Sequence, residues 1–513
     1  MRWAIIGAGP AGVLAATRLK ASGEDVTLFD RSERVGGNAQ SVRLPAPGAA
    51  DRRSDLAVKF LPPCGWEEPR LAHPIVDELA EYGARLEPVG RSTFYRDGQP
   101  RALPVPLNPL RKMELAMELL RTFDVFYEAS ALQGPDALYT HGYVKSGENI
   151  FEWGERMGAP LLTRLMTHVY EILGLRHYGY GDGAKTHAAG YVLGLRCRYL
   201  PGTYRKVFHK SPALRRLARS LVRRGVVKMR QREAFLRFLD LRFPQGELET
   251  DWSVLPESFG SLFPRMVADR EIPVRLGQAV TDVQSVAGGQ VSLRCGGPPE
   301  LFDRALICTP VPFLPKVLSW KLQESFGMLL CPARDTRVSV SVSAGSVRAP
   351  GLADQNTLVF SSEHLERLGT PDFTPRLMGY INEPGAHVMA QSYSRTETAD
   401  EAVKRQHRRD LNRMGAKTAA PTLLRHFDWP YVPTTSMIDA GFFEQLAAVQ
   451  GREQIAVCNE TTCGLGLLNL SNGVDRLLTL LTAPRRCSAV AQESAGAGTT
   501  RVPRPSASRT TPT

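Results

Sequence analysis

Two apolar periodicities follow each other in the first thirty residues of the chain. Residues 2–6 are a mainly apolar run ended by glycine, which is typical of a buried parallel strand. Residues 11–22 are rich in Ala and Leu at helical spacing and stop at Gly23, and residues 25–29 form a second short apolar run. The pattern predicts a strand, a helix and a strand in immediate succession.

Further along the chain, the apolar spacing predicts more helices and more strands. Helical spacing covers residues 73–82, 111–127 and 147–175, and Ser211-Pro212 is a plausible cap and first turn for another helix. Strands are predicted within 272–283, 304–310 and 455–460. A last helix is expected over 475–481, capped by Ser471 or Asn472, and residues 483–513 have few apolar anchors and are expected to be disordered.

Glycines occupy the turn between the first strand and the first helix. Their spacing is Gly7-x-Gly9-x-x-Gly12, with Pro10 and Ala11 opening the helix. In such a loop the first glycine permits a tight turn, the second lets backbone approach a pyrophosphate, and the third lets helix pack on strand. Asp30 ends the second strand, where a carboxylate can bind ribose hydroxyls or simply cap the strand. The unit predicts a dinucleotide site; a glycine turn without a ligand is the alternative.

The segment after Asp30 carries a family resemblance. It reads Arg31-Ser32-Glu33-Arg34-Val35-Gly36-Gly37-Asn38 and resembles the R-x-G-G segment of the flavin-containing amine oxidase and phytoene-desaturase-like superfamily. The resemblance implies FAD, with the arginines and glycines beside its pyrophosphate. It also implies an α/β fold, in which an FAD-binding Rossmann-like (GR2-type) domain is interleaved with an α+β substrate-binding domain.

Later positions of the same resemblance extend the predicted cofactor site. Val280 matches a valine that meets the adenine, and Glu460 matches an acid near the ribityl chain, although Asn459 stands where the family has glycine. Gly473 and Val474 open the last predicted helix, whose positive end would face the flavin. The predicted cofactor-binding residues are Gly7, Gly9, Pro10, Ala11, Gly12, Asp30, Arg31, Arg34, Gly36, Gly37, Asn38, Val280, Glu460, Gly473 and Val474.

The predicted domains interleave along the chain. The FAD-binding domain comprises residues 1–70, 251–320 and 431–482, and the substrate domain comprises residues 71–250, which are mainly helical, and 321–430. Within the substrate domain, Tyr178 and Tyr180 alternate with glycines, which suits a pocket floor or an ordinary aromatic turn. A similar block occurs in relatives of cyclopiazonate dehydrogenase and the fatty-acid double-bond isomerases. Trp429 is a third candidate for contact with substrate.

The resemblance implies an FAD-dependent oxidoreductase that removes hydride from a small organic or natural-product-like molecule, as a dehydrogenase, desaturase or oxidase. Secondary metabolism is one setting for such an enzyme. Amine oxidases of the family usually carry a lysine on a strand near the flavin, and Arg337 stands in the comparable stretch, which favours dehydrogenation or isomerisation. No catalytic base is identified. Two alternatives stay open: a redox-neutral double-bond isomerase and a non-catalytic flavin-binding assembly protein.

Positive charge is concentrated in one segment. Residues 205–232 hold eleven Lys and Arg and no acid, against a formal net charge of +12 for the chain. A basic amphipathic helix here could contact an anionic membrane surface or an acidic partner, or could be a solvated face packed on its own core. Nucleic-acid binding is not expected, because the segment lacks interleaved aromatic residues.

The remaining composition excludes several classes of protein. The eight cysteines include no C-x-x-C pair, so we expect reduced structural thiols and no metal site. The glycine fingerprint lies within the first twelve residues, which leaves no room for a signal peptide, and no run of eighteen apolar residues occurs. The sequence therefore predicts a cytoplasmic enzyme that acts on a small molecule.

Overall fold

The computed structural model describes most of the chain between residues 1 and 482. The described residues are 1–44, 52–56, 60–61, 66, 74–88, 93–96, 99–101, 107–131, 135–172, 189–190, 193, 200–243, 253–330, 336–347, 358–361, 376–383, 387–395, 398–413, 416–427, 433, 435–464 and 466–482. Among them, no helix is both long enough and apolar enough to cross a bilayer.

A five-stranded parallel sheet organises the first part of the fold. Its neighbouring strands are Val274–Arg275, Asp25–Phe29, Arg2–Ile6, Arg304–Ile307 and Ile455–Val457. In chain order this is 3-2-1-4-5, so the direction of winding reverses between the first and fourth strands. In sheets of this kind ligands bind outside the carboxyl ends of the strands, at that reversal.

The packing of the first strand explains why residues 3–6 are all apolar. Trp3 and Ile5 belong to a core cluster on one face of the sheet, and Ala4 and Ile6 belong to a second cluster on the other face. Both faces are covered, so both sets of side chains are buried. The predicted strands at residues 2–6 and 25–29 are confirmed with those bounds.

Helices cover the parallel sheet. The first helix, Pro10–Ala21, packs against Phe259–Asp269 and Leu467–Thr482. Arg18 binds the last of these, because its Nη1 donates to the Ser471 carbonyl oxygen at 2.7 Å and to Asp475 at 2.9 Å. Its Nη2 donates to Glu78 Oε2 at 2.6 Å, in the helix Pro74–Glu81. One guanidinium thus joins elements that are hundreds of residues apart.

Smaller sheets lie around this unit. Residues Asp282–Val286, Gln290–Arg294 and Glu300–Phe302 form an antiparallel meander that leads into the fourth parallel strand. The others are Ser41–Leu44 with Arg52–Asp55, and Phe60–Leu61 with Ser253–Val254 and Glu87–Pro88.

The second large sheet is mainly antiparallel. Its long strand Thr336–Val347 pairs with His387–Arg395, Leu423–Phe427 and Ala416–Thr418. Beyond His387–Arg395 the order continues with Arg376–Glu383, Leu358–Ser361, Thr93–Arg96 and Gln99–Arg101. The helix Asp400–Arg413 contacts this sheet.

Val and Ser alternate along the long strand and separate its two faces. Val338, Val340 and Val342 join the large core cluster. The intervening serines lie on the opposite face, where Ser341 Oγ contacts His407 Nδ1 at 2.7 Å. His407 belongs to the helix Asp400–Arg413, is fully buried, and contacts Ser392 Oγ through Nε2 at 2.7 Å. Burial disfavours the imidazolium and lowers the pKa of His407 to about 4.

This histidine predicts an acid-sensitive stability. Because the pKa of His407 is lower in the folded chain than in the unfolded chain, the unfolded chain binds the proton first as pH falls. The stabilisation is complete above about pH 6.5 and decreases toward pH 4, by about 3 kcal/mol in total. Urea unfolding between pH 7.5 and pH 4.5 should give a shallower pH dependence for His407→Gln than for wild type. Equal slopes would contradict the proposed titration.

A helical part contains much of the large core. Its members are Pro109–Ala131, Pro135–Thr140, Ile150–Met157, Pro160–Ile172, Leu200–Phe208, Pro212–Arg223 and Arg232–Asp240. Trp66 packs edge-on against Phe123 at 5.0 Å and Tyr204 at 4.9 Å between ring centroids. The single helix predicted over 147–175 is wrong. Two helices occur instead, because Gly158 takes a left-handed conformation and Pro160 starts the second.

Further helices in the described part of the chain precede or follow strands of the two large sheets. They are the α-helices Leu314–Val317, Trp320–Phe326, Thr435–Asp439, Phe442–Val449 and Glu460–Cys463, and the 3₁₀ helices Val311–Phe313, Gly327–Leu330 and Arg452–Gln454.

Candidate cofactor site

The first glycine loop lies at the carboxyl edge of the parallel sheet. Gly7 has φ of +108° and donates from its amide to the Phe29 carbonyl oxygen at 2.7 Å. Gly9 precedes the helix Pro10–Ala21 and supplies no side-chain cap. Pro10 has no N–H, so the amides of Ala11 and Gly12 form the positive end of the helix. These groups suit a phosphate at the helix N-terminus.

The second glycine loop packs directly on the first. Gly36 donates from its amide to the Ala8 carbonyl oxygen at 2.8 Å, and a Cβ on Gly37 would lie 2.8 Å from the Gly9 Cα. Arg34 donates from Nη2 to the Gly37 carbonyl oxygen and so braces this loop. The two motifs predicted from separate patterns therefore form one continuous backbone surface. Asn38, half-buried, follows them.

Asp30 links the two loops. Its Oδ2 accepts from the Ala8 amide at 2.6 Å, and its Oδ1 accepts from the Ser32 amide at 2.8 Å and from Ser32 Oγ at 2.6 Å. An ionised carboxylate has about four acceptor positions, so three bonds leave room for one ribose hydroxyl. Asp30 is half-buried, whereas the neighbouring Arg31 is exposed and lies over the Phe313 ring at 4.0 Å.

Thr309 forms a further side of the site and was missed by the sequence analysis. It follows the fourth strand, and its amide nitrogen would lie 3.3 Å from a Cβ on Gly7. The Thr309 Oγ1 atom is buried and has no hydrogen-bond partner among the described residues. A buried hydroxyl without a partner is unfavourable and suits a ligand contact. No motif signals this residue, because it lies about three hundred positions from the glycines that it adjoins.

Asn459 holds the fifth strand's end against Thr309. Its Nδ2 donates to the Thr309 carbonyl oxygen at 2.8 Å, and its Oδ1 caps the helix Glu460–Cys463 by accepting from Thr461 and Thr462 amides at 3.0 and 3.1 Å. Its φ of −149° is extended backbone that any residue adopts. Glycine is therefore not required at Asn459 for this conformation. Glu460, half-buried, is the first residue of the capped helix.

Val280 lies in a loop, although the sequence predicted it within one strand over 272–283. Two separate strands occur, Val274–Arg275 and Asp282–Val286. Gly277 has φ of +68° and ends the first, which explains the interruption. Gln278 donates from its amide to the Asp30 carbonyl oxygen at 3.1 Å, so the loop that carries Val280 begins beside Asp30. The Val280 side chain is buried in the core.

The last helix begins earlier than predicted. It spans Leu467–Thr482, so the cap predicted at Ser471 or Asn472 is wrong, and Gly473 and Val474 lie inside the helix. Gly464 and Gly466 precede its first turn. Their φ values of +88° and +94° are not helical, so the helix cannot begin earlier. Gly473 is instead a packing position, because a Cβ there would lie 2.2 Å from Cys463 Sγ. The positive end of this helix is at Leu467.

Comparison with known proteins agrees with this architecture. Residues 5–73 match the family model described as an NAD(P)-binding Rossmann-like domain. Aplysianin-A from Aplysia kurodai is 29% identical over 130 residues, which are 25% of this chain and 21% of that protein. The chain thus spans about a fifth of the length of the curated relative that it matches.

Solved structures match almost the whole chain. The CLA-producing fatty acid isomerase from P. acnes superposes with a TM-score of 0.62 at 16% identity, over 93% of this chain and 98% of that one. Putrescine oxidase gives 0.58 at 14% identity over 94% and 98%, and a protoporphyrinogen oxidase from Exiguobacterium sp. 255-15 gives 0.55 at 14% over 94% and 98%. The chain therefore shares its fold with these three proteins. The predicted fold class is therefore confirmed, and the matches point to a flavin or nucleotide cofactor.

On the long strand Thr336–Val347, Arg337 faces away from the core valines. It donates from Nη2 to the Thr398 carbonyl oxygen and lies 3.8 Å from Asp400, at the start of the helix Asp400–Arg413. Its position alternates with Val338, so it shares the face of the buried serines. The Arg337 guanidinium is thus held at the start of this helix by the Thr398 carbonyl oxygen and Asp400.

Two cysteines approach each other near the cofactor edge. Cys458 and Cys463 are both buried, with their Sγ atoms 3.6 Å apart. A hydrogen bond with the Cys308 thiol, together with burial, raises the pKa of Cys458 well above its ordinary value, and a hydrogen bond with Cys458, together with burial, does the same for Cys463. Both are therefore neutral thiols at pH 7. In the part of the chain that the structure describes, no cluster of three or more His, Cys, Asp or Glu side chains could hold a metal ion.

Three predicted substrate residues, Tyr178, Tyr180 and Trp429, lie outside the described residues. Their proximity to substrate stays a prediction.

Proposed function

We propose that the protein is an FAD-dependent oxidoreductase. The observation that carries the proposal is the joined pair of glycine loops at the carboxyl edge of a 3-2-1-4-5 parallel sheet. Gly37 approaches Gly9 so closely that a larger residue would not fit at Gly37. The space in front of Gly9, in contrast, is open. A pyrophosphate needs such a surface, with helix amides directed at it.

The side chains around the loops fit the same cofactor. We assign Asp30 to the ribose, the amides of Ala11 and Gly12 to the pyrophosphate, and Thr309 Oγ1 to a further polar contact. The orphaned buried hydroxyl of Thr309 supports this fit, since a ligand would supply its missing partner. We also assign Val280 and Glu460 to this site, as the family resemblance implies. The positive end of the last helix lies at Leu467, not at Gly473 as the sequence predicted.

The proposed domains follow from the sheet. Its strands come from residues 1–70, 251–320 and 431–482, which supports one FAD-binding domain built from three segments. Residues 71–250 and 321–430 would then form the substrate domain, with the helical part and the large antiparallel sheet.

When bound, a flavin supplies the acceptor for hydride from a substrate C–H bond. The chain's own residues bind the dinucleotide, orient it at the sheet edge, and exclude water from the core that surrounds it. Arg337 supports the choice of dehydrogenation or isomerisation over amine oxidation, because it stands where amine oxidases of the resembling family carry a lysine. Its guanidinium is held by the Thr398 carbonyl oxygen and lies near Asp400. A substrate class is not assigned, and a small organic molecule remains the proposal.

We expect the purified protein to be yellow and to contain about one FAD per chain. The absorption spectrum and chromatography of the released cofactor measure this directly. Colourless protein that takes up no FAD on titration would overturn the proposal. If the released cofactor were a nicotinamide dinucleotide, the Rossmann-like domain would still bind a dinucleotide, but the assignment of FAD would be wrong.

A double-bond isomerase is the second candidate, because the fatty acid isomerase structure covers 93% of this chain with a TM-score of 0.62. An isomerase returns the hydride to the same substrate, so it consumes no external oxidant. Oxygen uptake and dye reduction per turnover, measured with unsaturated fatty acids and with amines, separate the two candidates. A bound flavin that no such substrate reduces would favour the non-catalytic alternative.

A further inference from the structure

The basic segment forms a helix whose two faces differ. Ser211 caps the helix Pro212–Arg223, accepting from the Leu214 amide at 3.4 Å, and Pro212 is its first residue. Ala218 and Val222 are buried against the helical core, with Leu214 and Leu221 packed beside them. The predicted amphipathic helix is confirmed.

The opposite face is exposed and carries both charge and apolar side chains. Arg216, Arg223 and Arg224 are exposed and make no ion pair with any described residue, whereas Arg219 of the same helix is paired with Asp240. Leu217 lies among them and is 37% exposed, and Val226, just beyond the helix, is 65% exposed. Water solvates the arginines well, whereas the exposed aliphatic side chains of Leu217 and Val226 would gain free energy by leaving water.

We propose that this face, defined by Arg216, Leu217, Arg223, Arg224, Val226 and Lys228, docks the protein on an anionic lipid surface. The guanidinium groups meet acidic headgroups, and Leu217 and Val226 enter the boundary between headgroups and acyl chains. A helix with a basic polar face and protruding apolar residues binds in this way.

Two features favour lipid over a macromolecular partner. An acidic protein would satisfy the cations but gives no role to exposed Leu217 and Val226. Single-stranded nucleic acid is bound through aromatic stacking, and residues 212–228 contain no aromatic residue. Because Gly225 has φ of +71° and ends the helix, Val226 and Lys228 are presented on the following turn.

The test is cosedimentation of the full chain with phosphatidylcholine vesicles that contain roughly one-third phosphatidylserine, beside vesicles of phosphatidylcholine alone. Wild type should bind the anionic vesicles at about 0.1 M salt and leave them at about 1 M. Each basic residue near such a surface strengthens binding about fivefold, so R216Q/R223Q/R224Q should bind roughly a hundredfold more weakly. The uncharged change L217Q/V226Q should lose roughly tenfold.

The matched control is R405Q/R408Q/R409Q, which removes three exposed arginines from the helix Asp400–Arg413. It has the same net charge as the first variant and should bind like wild type. Equal loss in both triple variants would overturn the proposal, because net charge alone would then explain binding. The proposal would also be overturned if the wild-type protein did not bind anionic vesicles, even if it bound an acidic protein. Melting temperatures that match wild type exclude unfolding as the cause.

Discussion

Replacing Gly9 by valine is expected to abolish cofactor binding and leave the protein folded. A Cβ at Gly9 meets only the Gly37 Cα, at 4.0 Å, and the backbone has φ of −73°, which any residue adopts. The added isopropyl group would therefore occupy the open space in front of the amides of Ala11 and Gly12. FAD affinity should fall at least about a hundredfold, since the pyrophosphate cannot approach the backbone.

The measurement is flavin content after purification, followed by titration of the apoprotein with FAD. Gly202→Val is a matched control, because a Cβ at Gly202 would have no described neighbour within 4 Å. Gly202 lies in the helix Leu200–Phe208, in the helical part of the fold. A folded Gly9→Val protein that retains wild-type flavin would show that the loop does not bind the cofactor.

Replacing Gly12 by alanine, only three residues away, should instead destabilise the fold itself. A Cβ at Gly12 would lie 1.8 Å from the Gly7 carbonyl oxygen, a backbone atom that cannot rotate away. Gly7 is held with φ of +108°, and its own Cβ position is 3.0 Å from the Cys308 carbonyl carbon, so the loop has little room to yield. The first helix must move off the first strand, at a cost of about 3 kcal/mol or more.

Chemical unfolding of the apoproteins measures this cost without any contribution from cofactor. Gly9→Ala is the comparison, because the same methyl group is added where it fits. Its free energy of unfolding should lie within about 1 kcal/mol of wild type. Gly12→Ala protein as stable as Gly9→Ala would mean that helix and strand are not packed as described.

The parts of the fold that could be predicted are those encoded by neighbours in sequence. The glycine loop and the strands around it follow from spacing within thirty residues. The contact between Gly37 and Gly9 was implied only by resemblance, because nothing local specifies how two loops meet. Thr309 could not be found at all, since its significance depends on a hydroxyl that has no partner among the residues that the structure describes.

Errors occurred where local signals competed. Ser471 and Asn472 are good helix caps, but the apolar residues from Leu467 continue the same buried stripe and extend the helix through them. In residues 147–175 the apolar spacing continued across Gly158, whose left-handed conformation ended the helix. Apolar periodicity shows which face of a helix is buried, but it does not show where the helix begins or ends.

The order of the parallel sheet has a consequence for biosynthesis. Its central strand, Arg2–Ile6, is synthesised about three hundred residues before its neighbour Arg304–Ile307 and about four hundred and fifty before the edge strand Ile455–Val457. At about 5 to 20 residues per second the nascent chain waits tens of seconds for these partners. During that interval one edge of an apolar strand is unpaired, which invites aggregation. The protein should therefore depend on chaperones while it is translated, and fragments that end before residue 455 should be insoluble.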